Sequence, residues 1–164
     1  MMHDDRVIVL PPGEGVAVPR PNGGTVVYKA TSAETNNAFG LLEMTVPPAT
    51  TLDQPRLGVH AHRHAGEDES WYILEGELTF TIGQRTVHAP AGTFLFVPRG
   101  ELHATVNPGT QPARYLVWFT PAGMENYFAE QAAMTEAAGG KPDPAQVDAL
   151  RTAYGMEFPD EAAR

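Results

Sequence analysis

Cysteine is absent from this 164-residue chain, which excludes disulfides, thiolate nucleophiles and cysteine-held zinc or iron–sulfur sites. Any metal must therefore be bound through nitrogen and oxygen. Basic residues are scarce: 11 Lys plus Arg stand against 20 Asp plus Glu, a formal charge of −9, and no Lys/Arg stripe appears. Binding a polyanion needs a basic face that releases counterions, so nucleic acid is not expected as a partner. Long apolar runs are missing too. The longest, Tyr115 to Phe119, is far below the ~20 residues of a spanning helix. Residues Met1 to Leu10 lack the charged and apolar regions of a signal peptide. These absences predict a soluble, cytoplasmic protein with no membrane association.

The length fits one domain, and a chain of this size can bury about 68 to 70% of its unfolded surface. Gly and Pro together number 31 and fall between short β-rich segments, the punctuation of an all-β fold. The clearest strand is Glu77 to Ile82, where Leu78, Phe80 and Ile82 alternate with Glu77, Thr79 and Thr81. Other strands are expected at Val7–Leu10, Gly24–Ala30, Phe39–Val46, Leu57–His62, Ser70–Leu74, Arg85–His88, Thr93–Val97, Leu102–Val106 and Arg114–Phe119. Ten short strands suggest a barrel or sandwich. After Pro121 the pattern turns helical: Met124 to Glu136 carries Met124, Tyr127, Phe128 and Gln131 at helical spacing, and a second helix follows at about Ala145 to Tyr154. The expected organisation is one domain over 1–164, with a core barrel at about 24–120 and C-terminal helices at about 123–155.

Four of the six histidines fall in two places: His60, His62 and His64 lie together, and His103 stands apart. Side chains alternate along a strand, so His62 and His64 project from one face, about 6 to 7 Å apart along the chain. Two imidazoles on one face can chelate one ion. Glu69 follows a turn at Ala65 to Asp68, and an antiparallel return would set its carboxylate beside the two rings. His103 sits after Pro98, Arg99 and Gly100 at the start of a strand. Three imidazoles and a carboxylate suit divalent Fe, Ni, Mn, Co, Cu or Zn, and four ligands leave positions open on a six-coordinate ion.

From His62 the chain reads HRHAGEDESWYILEG: His62-x-His64, four residues, Glu69, six residues, Gly76. From Gly92 it reads GTFLFVPRGELHATVN, with Gly92, Pro98, Gly100, His103 and Asn107 at the spacing Gx5PxGxxHxxxN. Together these segments resemble the two motifs of the cupin superfamily. The resemblance implies a double-stranded β-helix, a jelly-roll barrel, with a metal inside held by His62, His64, Glu69 and His103. The first motif departs from the family pattern at its front, where Arg56 stands in place of the usual Gly and the nearest glycine is Gly58. A second register, His60, His62 and Glu67, is possible, but it places Leu74 where the motif has Gly76.

Around the motifs, Asn107 precedes Pro108 and Gly109 and is expected to make a turn, while Gly76, Gly92, Pro98 and Gly100 shape the backbone. His60 is expected at the rim or as a hydrogen-bond partner of a ligand. Glu67 and Asp68 are expected as solvated turn carboxylates, and His3 and His88 as surface residues. If Glu69 points inward, Trp71 and Ile73 share its face. Met124, Tyr127 and Phe128 can lid the barrel or pack between subunits, with core packing the default. No substrate-binding residue is assigned from the sequence.

The segment PAGMENYFAE and the single-barrel layout resemble quercetinase-like flavonol dioxygenases. That implies a dioxygenase acting on an aromatic or enol-type substrate, with dioxygen as co-substrate and Glu69 as both ligand and general base. Two other classes fit the same site: an oxygen-independent isomerase, lyase or cyclase, and a metal-dependent small-molecule binding module. A homodimer is implied by the superfamily resemblance.

Overall fold

In the computed structural model, residues 7–21, 23–48 and 59–159 are described. His3, Arg56, Gly58 and the first two residues of the strand expected at Leu57–His62 lie outside them.

Alternation of apolar and polar residues sets the barrel. In β6 (Glu77–Ile82) Leu78 and Phe80 are buried while Glu77 and Thr81 are exposed, as a strand with one wet face requires. The same alternation runs through β3 (Gly40–Val46) and β10 (Ala113–Thr120). Around these lie β1 (Val16–Pro19), β2 (Thr25–Ala30), β4 (Val59–His64), β5 (Asp68–Glu75), β7 (Arg85–Pro90), β8 (Phe94–Val97), β9 (His103–Val106) and the short β11 (Met156–Glu157). They form two antiparallel sheets, one ordered β1-β2-β3-β10-β5-β8 and the other β11-β4-β9-β6-β7. The inner faces enclose one core built around Leu42, Ile73, Phe80, Val117 and Phe119. The architecture is the all-β, double-stranded β-helix expected from the motifs.

Four elements differ from the sequence expectation. Val7–Leu10 forms no strand and its apolar side chains are exposed, because nothing pairs with its backbone among the described residues. β1 and β11 were not expected; each is short, and each is ordered by one neighbouring strand, β2 and β4 respectively, rather than by its own pattern. A one-turn helix, α1 (Ser32–Thr35), is started by a capping box between Thr31 and Glu34. The two C-terminal helices, α2 (Met124–Ala137) and α3 (Pro144–Ala153), lie where periodicity puts them, and Asp143 caps α3 through Ala145 N–H. No helix among the described residues is long and apolar enough to cross a membrane.

A buried carboxylate fastens α2 to the barrel. Glu125 accepts from the backbone N–H of Ser32 at 2.6 Å and of Gly123 at 2.8 Å, and the Tyr28 hydroxyl donates to the Glu125 carbonyl at 2.9 Å. Gly40 makes room for this contact, since a Cβ there would sit 2.5 Å from the carboxylate oxygen. The clamp holds Met124, Tyr127 and Phe128 against the barrel interior.

Asn107 makes the expected turn, its Oδ1 accepting from Gly109 N–H at 2.9 Å. Its Nδ2 also donates to the carbonyls of Val46 at 3.1 Å and Gln111 at 2.9 Å, tying three segments together in a buried position. Asn107→Ala removes all three bonds and should destabilise the fold by about 2–3 kcal/mol. Urea unfolding checks this, and a midpoint equal to that of the wild type would refute it.

Candidate metal centre

β4 is the element that presents two imidazoles inward. His62 and His64 are buried on its inner face, while Arg63 between them points out and its Nε donates to Glu157 at 2.6 Å. His103 opens β9 and lies directly across from His62 in the antiparallel register, which brings the two ring centres to 4.4 Å. The Pro98–Gly100 turn positions β9: Gly100 takes φ +81°, and its N–H donates to the His64 carbonyl at 2.8 Å. The turn is also held by Asp68, which accepts from the Arg99 backbone at 2.9 Å and from its guanidinium at 3.0 Å. Arg99 thereby holds the Asp68 carboxyl down to about 2, so Asp68 is an ion-paired anchor rather than the purely solvated carboxylate expected.

Glu69 arrives by a route different from the one expected. β4 and β5 are not hydrogen-bonded neighbours; they belong to opposite sheets, and Glu69 reaches across the barrel. Its register partners are Phe119 of β10 and Val97 of β8. The chain changes sheets in the short turn between β4 and β5, so the carboxylate faces the imidazoles instead of lying beside them.

The four side chains are between 3% and 7% exposed, and their ligand atoms all lie within 4.8 Å of one another. His62 Nε2 is 3.1 Å from His64 Nε2; Glu69 Oε2 is 3.2 Å from His64 Nε2 and 3.1 Å from His103 Nε2. His62 Nδ1 donates to the His60 carbonyl at 2.9 Å and His103 Nδ1 to the Glu101 carbonyl at 3.0 Å. Those bonds place one proton on each Nδ1 and turn the Nε2 lone pairs toward the centre. Ring nitrogens and a carboxylate packed this closely share a cation, either a proton between Glu69 and an imidazole or a bound metal ion. The donor set is of the kind that holds a divalent ion.

Electrostatics within the cluster follow from burial and mutual contact. Burial, with the neighbouring His103 and His64 charges adding to it, pushes His62 down to about 3. Burial alone would raise Glu69, but its contacts with His103 and His64 outweigh that and bring it to about 2. Burial would lower His103, but the Glu69 carboxylate raises it above the ordinary imidazole value.

The centre opens into a cavity of about 130 Å³. Aromatic rings of Trp71, Phe119, Tyr127, Phe128 and Phe158 line it, with Met124 and Gln131 from α2. Trp71 meets His103 edge-on at 5.5 Å, so it shares Glu69's face as expected, whereas Ile73 is fully buried in the core outside the cavity. The helix residues Met124, Tyr127 and Phe128 both pack in the core and cover the site. His60 is exposed at the cavity; its carbonyl, not its position in a second ligand register, connects it to the centre. Glu67 is half-buried, with Oε2 3.8 Å from His64 Nδ1, and stands outside the four-residue cluster. His88 is on the surface beside Thr79. Sequence reasoning missed Arg20, Tyr115, Arg151 and Phe158, which also line the cavity. The one signal was a cation between two prolines, Pro19 and Pro21, in a chain poor in cations.

Residues 43–119 match the family model described as Cupin domain. It is 33% identical over 81 residues to an oxalate-binding protein of Thermotoga maritima, covering 49% of this chain and 61% of that relative's length. Among solved structures, a predicted oxalate decarboxylase from Thermotoga maritima superposes with a TM-score of 0.55 at 26% identity, covering 70% of this chain and 98% of the other. KdgF from a Halomonas species gives a TM-score of 0.58 at 12% identity, covering 71% and 96% of the two chains, which shows a shared fold.

Proposed function

We propose that this protein is a metal-dependent enzyme in which His62, His64, Glu69 and His103 hold one divalent transition metal ion and a small oxygen-bearing substrate binds beside it. The observation that supports this reading is the convergence of three imidazole Nε2 atoms and one carboxylate on a point that opens into an aromatic-lined cavity. A bound ion would act as a Lewis acid or redox partner toward a substrate oxygen. The protein's own part is to orient the imidazoles through the His60 and Glu101 carbonyls, to exclude water with the α2 residues, and to accept the substrate's hydroxyl proton on Glu69.

The reaction we put forward is dioxygenation of a compact enol-type substrate. Cavity size favours a substrate smaller than a three-ring flavonol: about 130 Å³ is well below the roughly 300–1,000 Å³ of sites for drug-sized ligands. A second reading, oxygen-independent chemistry on a small carboxylate or its binding without turnover, is favoured by the likeness to oxalate-related protein from Thermotoga maritima. A homodimer belongs to the proposal and is checked by sedimentation.

Oxygen uptake by protein of known metal content, with an apo control, separates the readings. Metal-dependent oxygen consumption with a small enol or enolisable substrate is the expected result. If fully loaded protein consumes no oxygen across such a panel, the dioxygenase reading fails and the second takes its place.

A further inference from the structure

Arg20 follows β1 and enters the turn to β2. Its backbone N–H donates to the Gly24 carbonyl at 2.9 Å, and its own carbonyl accepts from Gly23 N–H at 3.0 Å, so the turn is fastened from both sides. The half-buried side chain passes under α2, its guanidinium carbon 5.6 Å from the centre of the Phe128 ring, and lines the cavity that contains the four-residue centre. There its neighbours are the Met44 sulfur, 3.9 Å from Nη1, and the Tyr115 hydroxyl. Nε is buried without a hydrogen-bond partner.

Four other guanidiniums are treated differently. Arg63, Arg99, Arg114 and Arg151 are paired with Glu157, Asp68, Glu43 and Asp148. Among the described residues no carboxylate pairs with Arg20, although the chain has 20 acidic residues. A guanidinium drawn into an apolar cavity with a donor left unsatisfied is costly unless something anionic completes it. Its fork matches a carboxylate, and the low-dielectric surroundings strengthen the pairing. Arg151 of α3, stacked 4.2 Å over the Phe158 ring, lines the same cavity and adds a second positive charge.

We propose that Arg20 is the carboxylate-binding residue of this cavity, and that the substrate is a small organic anion reaching from Arg20 to the His62–His64–Glu69–His103 centre. One end of it is a carboxylate; the other is an enol, hydroxyl or second carboxylate oxygen. The inference rests on the reading of the centre as a metal site and narrows its substrate class. A neutral analogue of the same shape leaves Arg20 unpaired and binds poorly, the asymmetry that a buried polar partner imposes.

Calorimetric titration of nickel-loaded protein with oxalate and with its neutral diamide, oxamide, tests this, with metal content measured before and after. Wild type should bind oxalate more tightly than oxamide by tenfold or more. Arg20→Met, which keeps the packing against Phe128, should weaken oxalate binding by about tenfold to a hundredfold and leave oxamide binding and metal content unchanged. Arg20→Lys should recover part of the loss, since it restores charge without the fork. Thermal melting of both variants verifies that they fold. Oxalate binding to Arg20→Met at wild-type strength, or no preference for oxalate over oxamide in the wild type, would overturn the proposal. If wild type takes up no metal, the reading of the centre falls and takes this proposal with it; the metal measurement separates that failure from one at Arg20.

Discussion

Replacing His103 with alanine should raise the dissociation constant for a divalent transition metal by at least about a hundredfold, and replacing His62 should do the same. Partners that merely orient a metal ligand are worth about 10- to 100-fold in affinity, so a ligand itself is worth no less. Each of these imidazoles is fixed at Nδ1 by a backbone carbonyl, so neither neighbour can swing to replace a missing one. A second readout comes from thermal melting. At a metal concentration a hundred times the wild-type dissociation constant, binding stabilises the native state by about 2.7 kcal/mol; a hundredfold weaker site gains less than about 0.5 kcal/mol under the same conditions. The alanine variants should therefore melt at nearly the same temperature with and without metal, while wild type shifts upward. Full metal occupancy in either variant, measured by elemental analysis after dialysis, would contradict the ligand assignment.

The barrel and the four converging residues were legible in the sequence because two kinds of local signal coincide there. Strand alternation at Glu77–Ile82 is dictated by a buried face and a wet one, and the structure keeps the same bounds. The spacing from His62 to His64 fixes a shared face whatever the rest of the fold does. Gly100 and Gly76 had to be glycines for reasons visible only in three dimensions. Both take positive φ, and a Cβ at Gly76 would come within 3.1 Å of the Ala113 and Pro112 backbone. Their positions in the motifs nevertheless announced them.

What was not legible depends on contacts between residues far apart in the chain. The placement of Glu69 opposite the histidines results from a change of sheet between β4 and β5, and local reasoning joined those strands into a hairpin instead. β1 and β11 are four and two residues long and acquire strand geometry from β2 and β4, so no periodicity within them could report it. Arg20 and Glu125 belong to the same category. One is a cation in a Pro-flanked turn, the other an acid in the first turn of a helix, and both look like surface residues until α2 packs over the barrel.

Glu69→Gln should retain part of the metal affinity and lose turnover by about 10²- to 10⁴-fold, the range for removing a positioned general base. Glutamine keeps the shape and one oxygen that can face the ion, but it has neither the charge nor the capacity to accept a proton. Elimination within the centre leaves Glu69 as the base. His62 and His103 carry their protons on Nδ1, hydrogen-bonded to the chain, and their remaining nitrogens point at the same centre as His64 Nε2. Of the four groups, only the carboxylate has a second oxygen to offer a substrate while the first remains with its partners. Burial also keeps bulk water from competing as the proton acceptor. The measurement is turnover at saturating metal, using whichever substrate sustains activity in the wild type, with metal content determined on the same samples. Loss of turnover in fully loaded protein assigns the proton transfer to Glu69 itself. Wild-type turnover at full loading would leave it a ligand alone and move the base elsewhere in the cavity.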